Sequence, residues 1–251
     1  MNSSRDVRLS ERTRREIEHG RHIAEAAEDI WNWASPAGQV RARRRAEMFV
    51  RLGRLRAGVR ALEVGCGTGL FTSLVAASGA DITAVDISPE LLAQAKARPE
   101  CAGVQFKLAD VHVAGDAGGP YDVVYGSSVL HHLDLSAALP ALHNALRSGG
   151  RFVFTEPNMA NPQVWLERHV PAIRRAVGAS PDETAFHRAG LTRLLRRMGF
   201  DEICIRPFDW LHPGTPRCLI APVAGLGRVL EVLPAVREIS GSLVIFARRG
   251  R

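Results

Sequence analysis

The sequence predicts an α/β fold in which helices cover both faces of a mostly parallel sheet. Between residues 59 and 126, segments of helical spacing alternate with four short apolar runs, RALEV, DITAV, VQFKL and YDVVYG. This alternation is typical of parallel strands joined by crossover helices. The 251 residues, 46% of them hydrophobic, are enough for one large core but too few for two full-sized domains. We therefore expect one main domain with appendages.

The elements can be placed in order from periodicity and from turn residues. Two helices, over 10–34 and 38–57, are predicted on either side of Ser35-Pro36-Ala37-Gly38. Later helices are predicted from Leu70, from Pro89, over about 134–147 and over 190–198, with a turn at Ser148-Gly149-Gly150. Predicted strands cover 60–64, 81–85, 104–108, 121–126, 151–155, 202–206 and 242–247.

The predicted organisation has N-terminal lid helices over 1–57 and a main domain over 58–251. Prolines break the rhythm of 157–185, which we interpret as part of an inserted substrate cap, together with the irregular stretch 208–240. Residues 218–236 are apolar enough for a helix at a membrane surface, but prolines and glycines interrupt them. A lid over a substrate pocket or a core helix is the favoured interpretation.

Charge and cysteine content limit the classes of function. The net charge is +7, with basic flanks at 1–60 and 168–251 and an acidic centre at 61–167. Solvated arginine-rich helix faces explain the flanks more simply than a wall that attracts an acidic substrate. The four cysteines lack the spacing of a disulfide framework, and the N-terminus lacks the apolar core of a signal peptide. We expect a cytoplasmic protein without a membrane span.

The motif richest in chemical information is Glu63-Val64-Gly65-Cys66-Gly67-Thr68-Gly69, which follows a predicted strand and precedes a predicted helix. Its glycines allow a tight turn and a close approach of the backbone to a ligand, where helix-terminal N–H groups point outward. A dinucleotide fingerprint needs glycine at position 70, but this chain has Leu70. The motif therefore predicts a nucleotide-like ligand and disfavours a nicotinamide cofactor.

Two acids end the next two predicted strands. Asp86 closes ITAVD, where a carboxylate can accept hydrogen bonds from both ribose hydroxyls, and Asp110 follows FKLA, in a suitable place for an adenine amino group. Each acid alone could simply cap the following helix. Glycines and acids at three successive strand ends are a more specific pattern for a nucleoside site.

These motifs, with AVDISPELL, LAD and SSVLHHLD, resemble the class I S-adenosylmethionine-dependent methyltransferases, in particular a bacterial group acting on small molecules. The resemblance is strong over roughly residues 40–156. It implies a seven-stranded, Rossmann-like sheet with its last strand antiparallel, S-adenosylmethionine as the cofactor and S-adenosylhomocysteine as its product. It also implies that the cofactor contacts the following residues: Glu63, Gly65, Cys66, Gly67, Thr68, Gly69, Asp86, Ile87, Leu91, Asp110, Val111, Ser127 and Ser128.

Catalysis by such a protein consists mainly of holding the acceptor atom in line with the methyl–sulfur bond. A hydroxyl acceptor must also lose a proton, and His131 and His132 are the nearest titratable candidates, with His132 favoured. Either histidine could instead cap a helix. Glu156 and Asn158 follow the fifth strand on one face, where they could bind substrate or anchor the cap.

The remaining candidates lie in the appendages. Trp31, Trp33 and Arg43 are predicted to close the site as an N-terminal lid, with Arg43 at the cofactor, although the tryptophans could equally belong to the core. The variable regions that would build the acceptor pocket contain His187, Asp209, Trp210 and His212. Aromatic residues of such loops are as often packing residues.

Other activities find less support in the sequence. Gly126-Ser127-Ser128-Val129 stands where methyltransferases of base amino groups carry an Asn/Asp-Pro-Pro-aromatic motif, and no Pro-Cys nucleophile is present there, which argues against nucleic acid. No metal motif is evident. We expect a metal-independent enzyme that methylates oxygen or nitrogen of a natural-product or lipid-like intermediate. The alternatives are a protein that binds S-adenosylmethionine without methyl transfer, as a cyclase or scaffold, and a nicotinamide-dependent oxidoreductase.

Overall fold

A computed structural model describes residues 10–112, 118–176 and 184–250. Over these residues the strands are β1 (Arg60–Val64), β2 (Asp81–Asp86), β3 (Gln105–Leu108), β4 (Tyr121–Ser127), β5 (Leu146–Pro157), β6 (Phe200–Phe208) and β7 (Ser242–Arg249). They form one sheet in the order β3-β2-β1-β4-β5-β7-β6, in which β7 runs antiparallel to both of its neighbours. This confirms the predicted doubly wound sheet with an antiparallel last strand.

Helices surround this sheet. In the described residues they are α1 (Glu11–Ile23), α2 (Ala27–Ile30), α3 (Pro36–Gly53), α4 (Leu70–Ala76), α5 (Pro89–Ala97), α6 (Leu135–Ala145), α7 (Pro162–His169), α8 (Pro171–Ala176), α9 (Arg188–Arg197), α10 (Arg217–Leu230) and α11 (Pro234–Arg237). None of the helices in the described ranges is long and apolar enough to cross a membrane.

The central strands β1, β2 and β4 are buried on both faces, so they are apolar in consecutive positions. Leu62, Val124 and Phe152 pack on one side in a cluster that includes residues of α6 and α9. Their strand neighbours Tyr125 and Val153 pack on the other side with residues of α3 and α4. Successive residues of a strand therefore belong to different cores. Because side chains fill both faces of the sheet, a ligand site must lie at the strand ends.

The N-terminal helices differ from the prediction. The segment 10–34 is divided, with a 3₁₀ turn at Ala24–Ala26, where the Gln94 side chain donates to the Ala24 carbonyl at 2.7 Å. The following helix begins earlier, because Ser35 Oγ accepts the Gly38 N–H at 3.0 Å. Phe49 of α3 is fully buried in the core. α3 therefore belongs to the main domain, and only α1 and α2 remain candidates for the predicted lid.

The cap region is more helical than its prolines suggested. α7 and α8 occupy much of 157–176, whereas 177–183 lie outside the described residues. α10 runs through Pro222, Gly225 and Gly227 without interruption. A Cβ on Gly227 would lie 3.0 Å from the Trp210 Cβ, so this glycine permits the helix to approach the chain beneath it.

Candidate active site

A cavity of about 770 Å³ opens at the carboxyl ends of β1, β2 and β4. Ligands of open α/β sheets bind in this position, where the direction of chain crossover reverses. α1 and α2 cover one side of the cavity and α7 covers another. Residues predicted for cofactor, base and acceptor therefore share one enclosed space.

The glycine loop forms the floor of the cavity between β1 and α4. Gly65, Gly67 and Gly69 all have positive φ. A Cβ on Gly65 would lie 2.4 Å from Val129 Cγ2, and one on Gly67 would lie 3.3 Å from the Trp31 ring. These clearances, together with the backbone conformation, explain why the loop requires glycine and allow a ligand to approach the main chain.

Asp86 holds the glycine loop in place from the end of β2. Its Oδ2 accepts the Gly67 N–H at 2.7 Å, and its Oδ1 accepts the Ser88 N–H at 2.9 Å. Burial raises the pKa of Asp86, while these backbone hydrogen bonds oppose the rise. The carboxylate thus links the loop to the wall that Ile87 and Leu91 form.

The end of β3 supplies the adjoining wall of the cavity. Asp110 lies behind this wall, where its Oδ1 lies 2.6 Å from His112 Nδ1 and its Oδ2 accepts the Thr13 hydroxyl at 3.2 Å. Although burial raises its pKa, the hydrogen bonds from His112 lower the pKa of Asp110 on balance. Val111 faces the cavity.

The two histidines after β4 differ in their surroundings. His131 is buried, and its Nδ1 lies 2.7 Å from Glu156 Oε2. Glu156 also accepts the backbone N–H groups of Val129 and Leu130, at 2.9 and 2.8 Å. Glu156 is fully buried and lies outside the cavity lining, so it shapes the chain that carries the histidines.

His132 borders the cavity with a quarter of its side chain exposed. Its Nδ1 lies 3.0 Å from Glu16 Oε2, on α1. Arg12 of the same helix donates to the His132 carbonyl at 2.7 Å. α1 therefore contacts both the side chain and the backbone of this histidine, and the sequence offered no signal for this contact.

Arg45 of α3 is a buried cation beside Ser127 and Ser128. Its Nη1 donates to the two serine hydroxyls at 3.2 and 3.1 Å, and its Nη2 donates to Ser242 Oγ at 2.7 Å. Its Nε has no hydrogen-bond partner among the described residues. Burial and the nearby Arg41 lower the pKa of Arg45 to about 10, so it stays charged at neutral pH.

Arg45 and Arg41 share one acid, Asp209, which follows β6. Asp209 Oδ2 lies 2.9 Å from Arg41 Nε and 3.4 Å from Arg45 Nη2. Although burial opposes it, these two cations hold the pKa of Asp209 below its usual value. The three groups leave one net positive charge at this wall of the cavity, which suits an anionic group of a ligand.

Arg43 was predicted at the cofactor, but it is exposed and lines a separate cavity of about 210 Å³. A position two residues away on a helix points in a different direction, which is why Arg41 and Arg45 reach the main cavity and Arg43 does not. The correct arginines could not be chosen from spacing alone.

The structure brings most of the predicted site residues together. The main cavity is lined by Gly65, Cys66, Gly67, Thr68, Asp86, Ile87, Leu91, Val111, Ser127, Ser128, His131, His132, Trp31, Trp33, Trp210 and His212. The predicted residues outside its lining are Arg43, Glu63, Gly69, Asp110, Glu156, Asn158 and His187. Trp33 both lines this cavity and packs in the core.

Asn158 and His187 have other surroundings. The Asn158 side chain is buried and donates to the carbonyls of Glu238 and Ser240, at 2.9 and 2.8 Å. It therefore anchors the segment that precedes β7. His187 is exposed at the start of α9.

Glu63 lies beneath the glycine loop, where the Tyr125 hydroxyl donates to its Oε2 at 3.0 Å. Burial raises its pKa from 4.5 to about 7. The native protein therefore keeps a proton that the unfolded chain loses between these pH values. The corresponding stability is fully present below pH 4.5 and is lost as the pH rises through 7.

Glu63→Gln is expected to remove this pH dependence. The raised pKa of Glu63 corresponds to about 3 kcal/mol of stability. Between pH 5 and pH 8 the free energy of unfolding should therefore fall by about that amount less in the variant than in the wild type. Urea denaturation at the two pH values measures the difference, with the exposed Glu100→Gln as the control. If the free energy of unfolding depends equally on pH in the wild type and in Glu63→Gln, the raised pKa does not belong to Glu63.

Comparison with known proteins agrees with this geometry. Residues 62–154 match a family described as "Methyltransferase domain". A ubiquinone biosynthesis O-methyltransferase of Xanthomonas axonopodis pv. citri is 35% identical over 106 residues, which are 41% of this chain and 44% of the relative. The chain thus matches less than half the length of this relative.

Two solved structures share the fold at low sequence identity. Phosphoethanolamine N-methyltransferase 2 of Haemonchus contortus, in complex with S-adenosylhomocysteine, has a TM-score of 0.64 and 16% identity. The match covers 97% of this chain and 61% of the chain in that structure. The N-methyltransferase NodS of Bradyrhizobium japonicum, also with S-adenosylhomocysteine, has a TM-score of 0.60 and 18% identity, covering 94% and 98%. Residues 62–154 thus match the methyltransferase domain family, and the sheet and glycine loop around them have the fold of these solved methyltransferases.

Proposed function

We propose that this chain transfers the methyl group of S-adenosylmethionine to a hydroxyl group of a small, largely apolar acceptor. One observation carries the proposal: a single cavity joins the Asp86 and glycine-loop wall to His132 and, beyond it, to the side chains of α7 and Trp210. Its volume of about 770 Å³ lies within the range of sites for small ligands.

The residues present fit the cofactor. The glycine loop admits a ligand to its backbone, and Ile87, Leu91 and Val111 offer an apolar wall for an adenosine. We assign the methionine carboxylate to the wall of Arg45, whose Nε has no partner within the described ranges. When bound, S-adenosylmethionine supplies a methyl group already activated on a sulfonium, so the protein's task is mainly positioning.

His132 is the proposed general base. The carboxylate of Glu16 beside Nδ1 favours the tautomer with its proton on Nδ1, which leaves the Nε2 lone pair to accept a hydroxyl proton. Glu16 belongs to the lid, so closure of α1 over the site also completes this pair. His131 does not fit the role, because its ring is buried against Glu156.

The acceptor is assigned to the end of the cavity under the cap. Val164 and Trp210 offer apolar surface there, and Gln163, Glu167 and His212 offer polar groups for orientation. The sequence relative from Xanthomonas axonopodis pv. citri is named as an O-methyltransferase, which, together with a candidate base, favours oxygen over nitrogen as the acceptor atom.

Metal independence is also part of the proposal. Among the described residues, no group of three or more His, Cys, Asp or Glu side chains lies close enough to hold a metal ion. A hydroxyl deprotonated by His132 would need none.

Isothermal titration of the purified chain with S-adenosylmethionine and, separately, with NADH tests the proposal. We expect a dissociation constant of micromolar order for the former and no binding of the latter, followed by release of S-adenosylhomocysteine with a panel of hydroxylated apolar acceptors. Binding without release across the panel would favour a cyclase or scaffold. Binding of NADH alone would overturn the cofactor assignment.

A further inference from the structure

The outer face of the cap exposes an unusual amount of apolar surface. α10 packs inward through Gly227, whereas Leu226 and Val232 are 59% and 71% exposed. Soluble surfaces seldom gather so many large apolar side chains in one segment. We define the cap surface by its exposed residues between 217 and 239: Leu219, Leu226, Val229, Val232, Leu233 and Ile239.

The three residues of α10 within this set share one side of the helix. Leu219, Leu226 and Val229 are separated by seven and three positions, which is helical spacing for one face. Residues 218–227 contain no charged side chain. This face therefore suits an apolar environment better than water.

α7 adjoins the cap surface and also borders the cavity. The Asn161 side chain at its start donates to the Ile239 carbonyl at 2.8 Å. α7 exposes Trp165 and Leu166 on one side, 47% and 42%, while Gln163 lines the cavity. Only the thickness of this helix separates the cavity from the exposed apolar side chains.

The charges that accompany the cap surface are mainly positive. Arg175, Arg217 and Arg228 are exposed. The acids of the same region are paired or face inward: Asp209 pairs with Arg41 and Glu231 with Arg44 in the body of the protein, Glu238 pairs with Arg188 and Arg237, and Glu167 lines the cavity. The outward charge that remains complements an anionic surface.

We propose that the cap surface docks on an anionic lipid membrane, from which a lipid-like acceptor enters the cavity beside α7. Aliphatic side chains would enter the headgroup boundary, Trp165 suits that interface, and the arginines would contact anionic headgroups. A second copy of the chain fits less well, because a two-fold interface would bring the same arginines face to face. The acceptor's route rests on the proposed function; the docking does not.

Co-sedimentation of the full chain with phosphatidylcholine vesicles, with and without phosphatidylglycerol, tests the docking. We expect binding to the anionic vesicles that weakens with salt. The pair Leu226→Asp and Val229→Asp should reduce the vesicle-bound partition coefficient by about tenfold or more. The pair Arg217→Glu and Arg228→Glu should have an effect of similar size.

Leu108→Asp is the matched control, because Leu108 is 60% exposed on β3, at the other edge of the sheet from the cap. It should bind vesicles as the wild type does. Absence of wild-type binding to either vesicle, or equal loss in the control, overturns the proposal. A dimer in sedimentation velocity that the Leu226 and Val229 changes dissolve, without vesicle binding, would assign the surface to a second copy instead.

Titration of the same variants with S-adenosylmethionine separates the two proposals. We expect the cap-surface variants to bind the cofactor with wild-type affinity. If the wild type binds vesicles but not the cofactor, the proposed function fails and the docking stands. If it binds the cofactor but not vesicles, the docking fails and the proposed function stands.

Discussion

Asp86→Ala is expected to weaken binding of S-adenosylmethionine by about a hundredfold or more. The change removes the acceptor of the Gly67 and Ser88 N–H groups, so the glycine loop loses the contact that fixes it to β2. It also removes the carboxylate that the sequence predicts at the ribose. Hydrogen bonds to a charged group contribute about 1.5–3 kcal/mol each, and losing a single one at the upper end already gives the hundredfold effect.

Titration calorimetry measures the affinity, and Asp81→Ala is its matched control. Asp81 begins the same strand, is exposed, and lies at the opposite end of the sheet from the cavity. Thermal unfolding of both variants distinguishes a local loss from failure to fold. Unchanged cofactor affinity in a folded Asp86→Ala protein would remove the basis for placing the cofactor at this strand end.

His132→Ala is expected to lower kcat by about 10²–10⁴-fold while leaving cofactor affinity within about twofold. The wild-type rate should fall as the medium is acidified, because a protonated imidazole cannot accept a proton. In the variant this acid-side fall should disappear. The measurement is the pH profile of S-adenosylhomocysteine release with the best acceptor found.

Two further variants sharpen the test of His132. Glu16→Gln should lower kcat by about tenfold with little change in the KM for the cofactor, because it removes the charge beside Nδ1 and leaves the ring in place. His22→Ala, on the exposed side of the same lid helix, should have no effect. A His132→Ala enzyme with wild-type kcat would leave positioning alone as the source of catalysis.

The periodicity of the sequence predicted the sheet well because its strands are buried on both faces. RALEV, DITAV and YDVVYG became β1, β2 and β4 with few changes at their ends. The N-terminal segment was harder, since its break at Ala24 depends on a hydrogen bond from Gln94, 70 residues further along the chain. Local propensity carries no information on such a contact.

In the cap, local sequence predicted less regular structure than the protein forms. Pro222, Gly225 and Gly227 predicted an interrupted segment, yet α10 is continuous and packs through Gly227 on Trp210. These interruptions favoured a substrate-pocket lid or a core helix over a helix at a membrane surface. Its exposure depends on what the rest of the chain places beside it, and the described residues leave its outer face in solvent.

The sequence alone determined the α/β class, the glycine loop and the acid at the end of β2, because these depend on residue type and spacing within short segments. Tertiary structure alone decided that Arg45 rather than Arg43 faces the cavity, that Glu156 pairs with His131, and that Glu16 lies beside His132. Each of those contacts joins side chains from distant segments. The directions of these side chains are fixed by how the helices pack over the strand ends, and no local pattern of residues predicts that packing.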